Sequence, residues 1–133
     1  MADNNDTSIR VLLVDDEVSY TRILSKRMAV RGMQATAVDD GPAAIQALRG
    51  DTFDVALLDL KMEEMDGLEV LKIFRVMAPE MQVIILSGHG GEAEARLSLK
   101  NGAFDYLVKP CDLETITCKI KEAIAAGNCT SET

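Results

Sequence analysis

The chain has 133 residues and a formal net charge of −8, from 22 acidic and 14 basic side chains. That length builds one domain with its own core, and 47% apolar with 27% charged residues is a globular rather than a disordered composition. The acidic balance excludes direct binding of nucleic acid or of an anionic membrane surface by this chain, and no apolar run approaches the roughly 18 residues of a membrane helix.

From Ile9 onward two kinds of segment alternate. "IRVLLV" reads as a strand ending at Asp15-Asp16-Glu17, and "YTRILSKRMAVRG" as a helix. In that helix Ile23, Leu24, Met28 and Val30 share roughly one face, and Gly32 is the stop. "MQATAV" is a weaker second strand, and "GPAAIQALRG" a helix with Pro42 near its start and Gly50 at its end. "DVALLD" is the third strand, followed by the helix "GLEVLKIFRVM", with Leu68, Leu71 and Phe74 or Arg75 marking its turns. "QVIIL" is the fourth strand and "GEAEARLSLKNG" the fourth helix. "FDYLV" ends at Lys109-Pro110, and "LETITCKIKEAIAA" closes the series with Leu113, Ile116, Ile120 and Ile124 on its buried side.

Five strands alternating with five helices predict an α/β fold with an open parallel sheet covered on both faces. "VLLV", "VALL" and "VIIL" are apolar throughout, as strands buried on both faces are. The expected limits are a disordered N-terminus over 1–7, a domain over 8–126 and a flexible tail over 127–133. Cys111, Cys118 and Cys129 match neither a metal pattern nor a disulfide framework, and "MADNNDTS" is unlike a signal peptide. A cytoplasmic setting is expected.

In "VALLDLKMEEMDG" a buried strand runs straight into Asp59. Ligands of such sheets bind beyond the carboxyl ends of the strands, so the residues just after each strand carry the information. They are Asp15 and Asp16, Asp59, Ser87 and Lys109. Carboxylates so placed repel unless a cation offsets them or their pKa values rise. Mg²⁺ suits oxygen ligands and leaves room for a phosphate oxygen. Lys109 adds a positive point and Ser87 a hydroxyl, an inventory that fits phosphoryl transfer with an aspartate as nucleophile.

"VLLVDDE", "ALLDLKMEEMDGLEVL", "VIILSGHG" and "GAFDYLVKPCDLE" stand in the order and spacing of the receiver domain of two-component response regulators, which the chain resembles from about Ile9 to Ala126. The resemblance implies a doubly wound, flavodoxin-like sheet in the order 2-1-3-4-5 and Mg²⁺-dependent transfer of phosphate from a histidine kinase or phosphotransfer protein to Asp59. It implies Asp16 as a direct metal ligand, Asp15 acting largely through water, and the backbone carbonyl of Lys61 completing the protein's share. Ser87 and Lys109 hold the phosphoryl oxygens, and the Lys109-Pro110 peptide is cis. Tyr106 is the switch aromatic, expected to turn inward when phosphorylation draws Ser87 away. The face of the fourth helix, fifth strand and fifth helix then engages an output protein of unknown identity or a second copy. Lys61 and His89 flank the path of water toward the phosphorus. Glu63 departs from the family pattern, which has proline there.

A second reading is a small Mg²⁺-dependent phosphatase of the haloacid dehalogenase type. That family places an acid two residues after its nucleophile, and here those positions hold Lys61 after Asp59 or Glu17 after Asp15. A flavin protein of the same strand order needs a Ser/Thr- and Gly-rich phosphate loop where Asp15-Asp16-Glu17 stands. Within the receiver reading, both a free-standing regulator and a receiver of a longer protein stay open. The polar "GNCTSET" favours the former.

Overall fold

Side chains alternate across a strand, so the apolar run of the first strand must feed two cores at once. The computed structural model, which describes residues 8–62, 66–88 and 91–132 and side chains as far as residue 127, shows this directly. In β1 (Ile9–Val14), Leu12 and Val14 join one buried cluster while Val11 and Leu13 join another. β3 (Val55–Leu58) divides the same way, as does β4 (Gln82–Ser87). With β2 (Met33–Val38) and β5 (Asp105–Val108) these strands form one parallel sheet in the order β2-β1-β3-β4-β5. The three most apolar strands occupy its centre, where both faces are covered.

The first cluster is closed by α2 (Gly41–Gly50) and α3 (Gly67–Met77), through Ala44, Val70, Leu71 and Phe74. The second is closed by α1 (Val18–Val30) and α5 (Leu113–Glu132), through Leu24, Met28, Ile116 and Ile120. α4 (Glu92–Lys100) lies against β5. Asp40 caps α2 by accepting from Ala43 N at 2.8 Å, and Asp66 caps α3 by accepting from Leu68 N at 3.1 Å. Gly67 lets α3 start close to the end of β3, because a Cβ there would collide with Leu60 Cα and the Asp59 carbonyl oxygen.

The segments and their order are as the sequence predicts, and the buried side of one helix is not. In α1, Leu24 and Met28 are buried, but Ile23 is 55% and Val30 88% exposed. The stripe is narrower than four apolar residues suggest, because α1 packs chiefly on β2 and α5. Of the two residues offered for the last turn of α3, Phe74 is buried and Arg75 is half-buried. Arg75 leaves the core and clasps the α3–β4 turn, donating to the carbonyls of Met81 at 2.6 Å and Pro79 at 2.8 Å. α5 continues to Glu132, past the Ala126 end of its sequence periodicity.

Candidate functional site at the carboxyl edge of the sheet

The ladder hydrogen bonds run one residue past β1, β3 and β5 and align their ends. Asp59 N donates to Val14 O at 3.0 Å, Asp15 N to Val38 O at 3.2 Å, and Lys109 N to Ser87 O at 2.9 Å. Asp15, Asp59 and Ser87 are all buried there. Each aspartate is then fixed by a backbone donor two residues on: Asp15 Oδ1 accepts from Glu17 N at 2.9 Å, and Asp59 Oδ1 from Lys61 N at 3.1 Å. Carboxylate oxygens of Asp15, Asp16 and Asp59 lie within 4.8 Å of one another. Three acids at that separation, all with hard oxygen donors, fit a small divalent cation.

Lys109 crosses from β5 to this cluster and is only 11% exposed. Its Nζ lies 2.6 Å from Asp15 Oδ2, 2.7 Å from Glu17 Oε1 and 3.7 Å from Asp59 Oδ2. Burial alone would lower the Lys109 pKa, but hydrogen bonds to Asp15 and Glu17 outweigh it and hold the ammonium above the ordinary lysine range. Burial pushes the Asp15 carboxyl up, against the pull of Lys109. The peptide between Lys109 and Pro110 is cis.

At the other side of the site the Lys61 ammonium pairs with Glu94 of α4 at 3.2 Å. Tyr106 packs against the α2–α3 core cluster, with its hydroxyl in hydrogen-bond contact with Ser87. Burial raises the Tyr106 pKa, and nearby Glu94 adds to it.

The structure thus brings together Asp15, Asp16, Asp59 and Lys109, with Ser87 and Tyr106 adjoining. His89 and Glu63 lie outside the described residues. Sequence reasoning passed over Glu17, Tyr20 and Glu94. Glu17 follows the two aspartates directly and had only its place in "DDE" to mark it. Tyr20 lies one helical turn further on, and Glu94 belongs to a distant helix. Their roles arise from tertiary contacts.

The family model of the response regulator receiver domain matches residues 11–121. The transcriptional regulatory protein ZraR of Klebsiella oxytoca is 34% identical over 117 residues, covering 88% of this chain and 26% of that protein. The chain spans about a quarter of the length of such curated relatives. A receiver domain of a putative Luxo repressor protein from Vibrio parahaemolyticus superposes with a TM-score of 0.86 at 26% identity, covering 93% of this chain and 95% of that one. A CheY-like receiver domain protein from Methanospirillum hungatei JF-1 gives a TM-score of 0.87 at 24% identity over 92% of this chain and 98% of that one, a likeness of fold. These matches lend no support to the haloacid dehalogenase reading.

Proposed function

The chain belongs to the response regulator receiver family, whose members are phosphorylation-activated signalling domains, and from that premise we propose that Asp59 is its phosphoryl acceptor. The observation that carries this is the meeting of three aspartate carboxylates within 4.8 Å, with the Lys109 ammonium beside them. Asp15, Asp16, Asp59 and the Lys61 carbonyl would hold Mg²⁺, which when bound offsets the acidic charge and polarises a phosphoryl oxygen.

The protein's own contribution is positioning. Asp59 is buried at the end of β3 and fixed through the Lys61 N–H. One of its oxygens attacks the phosphorus as the bond from phosphorus to the histidine nitrogen of the donor breaks. Lys109, 3.7 Å from Asp59 Oδ2, needs only a short movement to neutralise a phosphoryl oxygen. The Ser87 hydroxyl supplies a donor once it exchanges Tyr106 for the phosphoryl group, which frees the Tyr106 hydroxyl. That exchange is the two-state element biased by phosphorylation.

The surface that changes with it is formed by α4, β5 and α5. Leu97, Leu99 and Val108 are large apolar residues exposed there. This face would bind the output protein or a second copy of the phosphorylated chain. The donor would be a sensor histidine kinase or phosphotransfer protein in the cytoplasm. No helix among the described residues is long and apolar enough to cross a membrane. The chain would catalyse only its own phosphorylation and dephosphorylation.

The test is labelling with acetyl phosphate and Mg²⁺, read by intact mass. The wild type should gain one phosphate, and Asp59→Asn or full chelation should abolish the gain. Labelling of the Asn variant would overturn the assignment.

A further inference from the structure

We propose that Tyr20 is a positioning residue for Lys109, holding the ammonium at the site through the face of its ring and so setting the rate at which Asp59 is phosphorylated. The inference rests on the phosphoryl-transfer reading above. Lys109 Nζ stands 4.7 Å from the centroid of the Tyr20 ring, within the range of charge–π attraction. The Tyr20 hydroxyl is buried and finds no hydrogen-bond partner among the described residues. A tyrosine kept for its hydroxyl would have it satisfied. What this side chain offers the site is its ring.

The chemistry of the ammonium explains why a ring suits this place. Lys109 has three N–H donors, and Asp15 and Glu17 accept two of them at 2.6 Å and 2.7 Å. A third carboxylate in the position of Tyr20 would take the last donor and draw the charge away from Asp59. The ring face attracts the charge without accepting a directed hydrogen bond, so one donor stays available for a phosphoryl oxygen. Tyr20 also lines a small void beside Asp15 and Asp59. The cavity bounded by Tyr20, Thr21, Asp15, Asp59 and Leu86 is only about 10 Å³, at the lower limit for one water. A smaller side chain would give the ammonium room to sink from the edge.

Wild type, Tyr20→Phe and Tyr20→Leu are compared for the initial rate of labelling by acetyl phosphate at saturating Mg²⁺, for Mg²⁺ affinity by calorimetry, and for the proton shifts of the Lys109 ε-methylene. Phe should label within about twofold of wild type and keep the upfield ring-current shift. Leu should label about tenfold more slowly, equivalent to about 1.4 kcal/mol, lose that shift, and bind Mg²⁺ as wild type does. Tyr20→Met substitutes for Leu if the latter disturbs folding. A ringless variant that labels at the full rate, or a Phe variant as slow as Leu, overturns the inference alone. A wild type that takes no phosphate overturns the phosphoryl-transfer reading and this inference with it.

Discussion

Two lysines flank Asp59, and they are held in opposite ways. Lys109, on the floor of the site, is 11% exposed and gripped by Asp15, Glu17 and the Tyr20 ring. Lys61, on the rim, is 53% exposed and pairs with Glu94. A buried ammonium that loses its partners leaves charges with no solvent to take over, whereas an exposed pair exchanges partners at little cost. The floor is built to stay and the rim to be rearranged. Under the proposal, an anion on Asp59 would draw on Lys109 from 3.7 Å, and on Lys61 only at the expense of its link to Glu94 of α4.

The largest expected effect separates the two lysines by stability. Lys109→Met should lower the unfolding free energy of the metal-free protein by about 3 kcal/mol, because Asp15 and Asp59 lose their buried counter-charge. Lys61→Met should change it by less than about 1 kcal/mol. Urea unfolding of both variants measures this, and equal costs would erase the distinction between floor and rim.

Next in size is the response of the floor to metal. Mg²⁺ at a hundredfold excess over its Kd should stabilise the native state by about 2.7 kcal/mol. Without metal, Asp59→Asn should raise the melting temperature, since it removes repulsion with Asp15 and Asp16 while an amide oxygen still accepts from Lys61 N. A lower melting temperature would show that the 3.7 Å approach of Lys109 to Asp59 outweighs the repulsion.

The rim should show itself in the lifetime of the phosphoprotein. If Lys61 leaves Glu94 to shield the phosphorus, Lys61→Ala should shorten the lifetime several-fold, where tenfold corresponds to about 1.4 kcal/mol. Glu94→Gln should lengthen it by about twofold, by releasing Lys61 from its competing partner. Timed phosphate release decides, and an unchanged lifetime in both variants removes Lys61 from the mechanism.

The smallest effect is in the alkaline titration of the two tyrosines, Tyr20 under the floor and Tyr106 at the rim. Burial is the main cause raising both phenols above the ordinary value of about 10. A phenol raised in the folded state favours its neutral form. The stability each contributes is therefore complete below about pH 10 and lost as pH rises through the folded value. Ultraviolet titration with Tyr20→Phe and Tyr106→Phe as assignments should find both ionising late. A tyrosine that ionises at its ordinary value would place its ring in water.

Glu17 shows where legibility ends. It occupies the N-cap position of α1, yet its side chain makes no capping hydrogen bond and turns to Lys109 instead. Local rules assign such a residue to the helix start, and only the arrival of β5 beside β4 offers it a stronger partner. Ile23 and Val30 fail for a related reason. Helical spacing places them near the buried stripe, but the width of that stripe is decided by what packs on it.

Sequence by itself determined the alternation of elements, the two-faced burial of β1, β3 and β4, and the polar residues that end them. Those features follow from periodicity and from the chemistry of single residues, which are written along the chain. Tertiary structure decided that Lys109 rests on Tyr20 and Glu17, that Lys61 faces Glu94, and that the Tyr106 hydroxyl contacts Ser87. Each of those contacts joins side chains from separate elements. Their partners were chosen by distance in three dimensions and by which charges burial left unsatisfied.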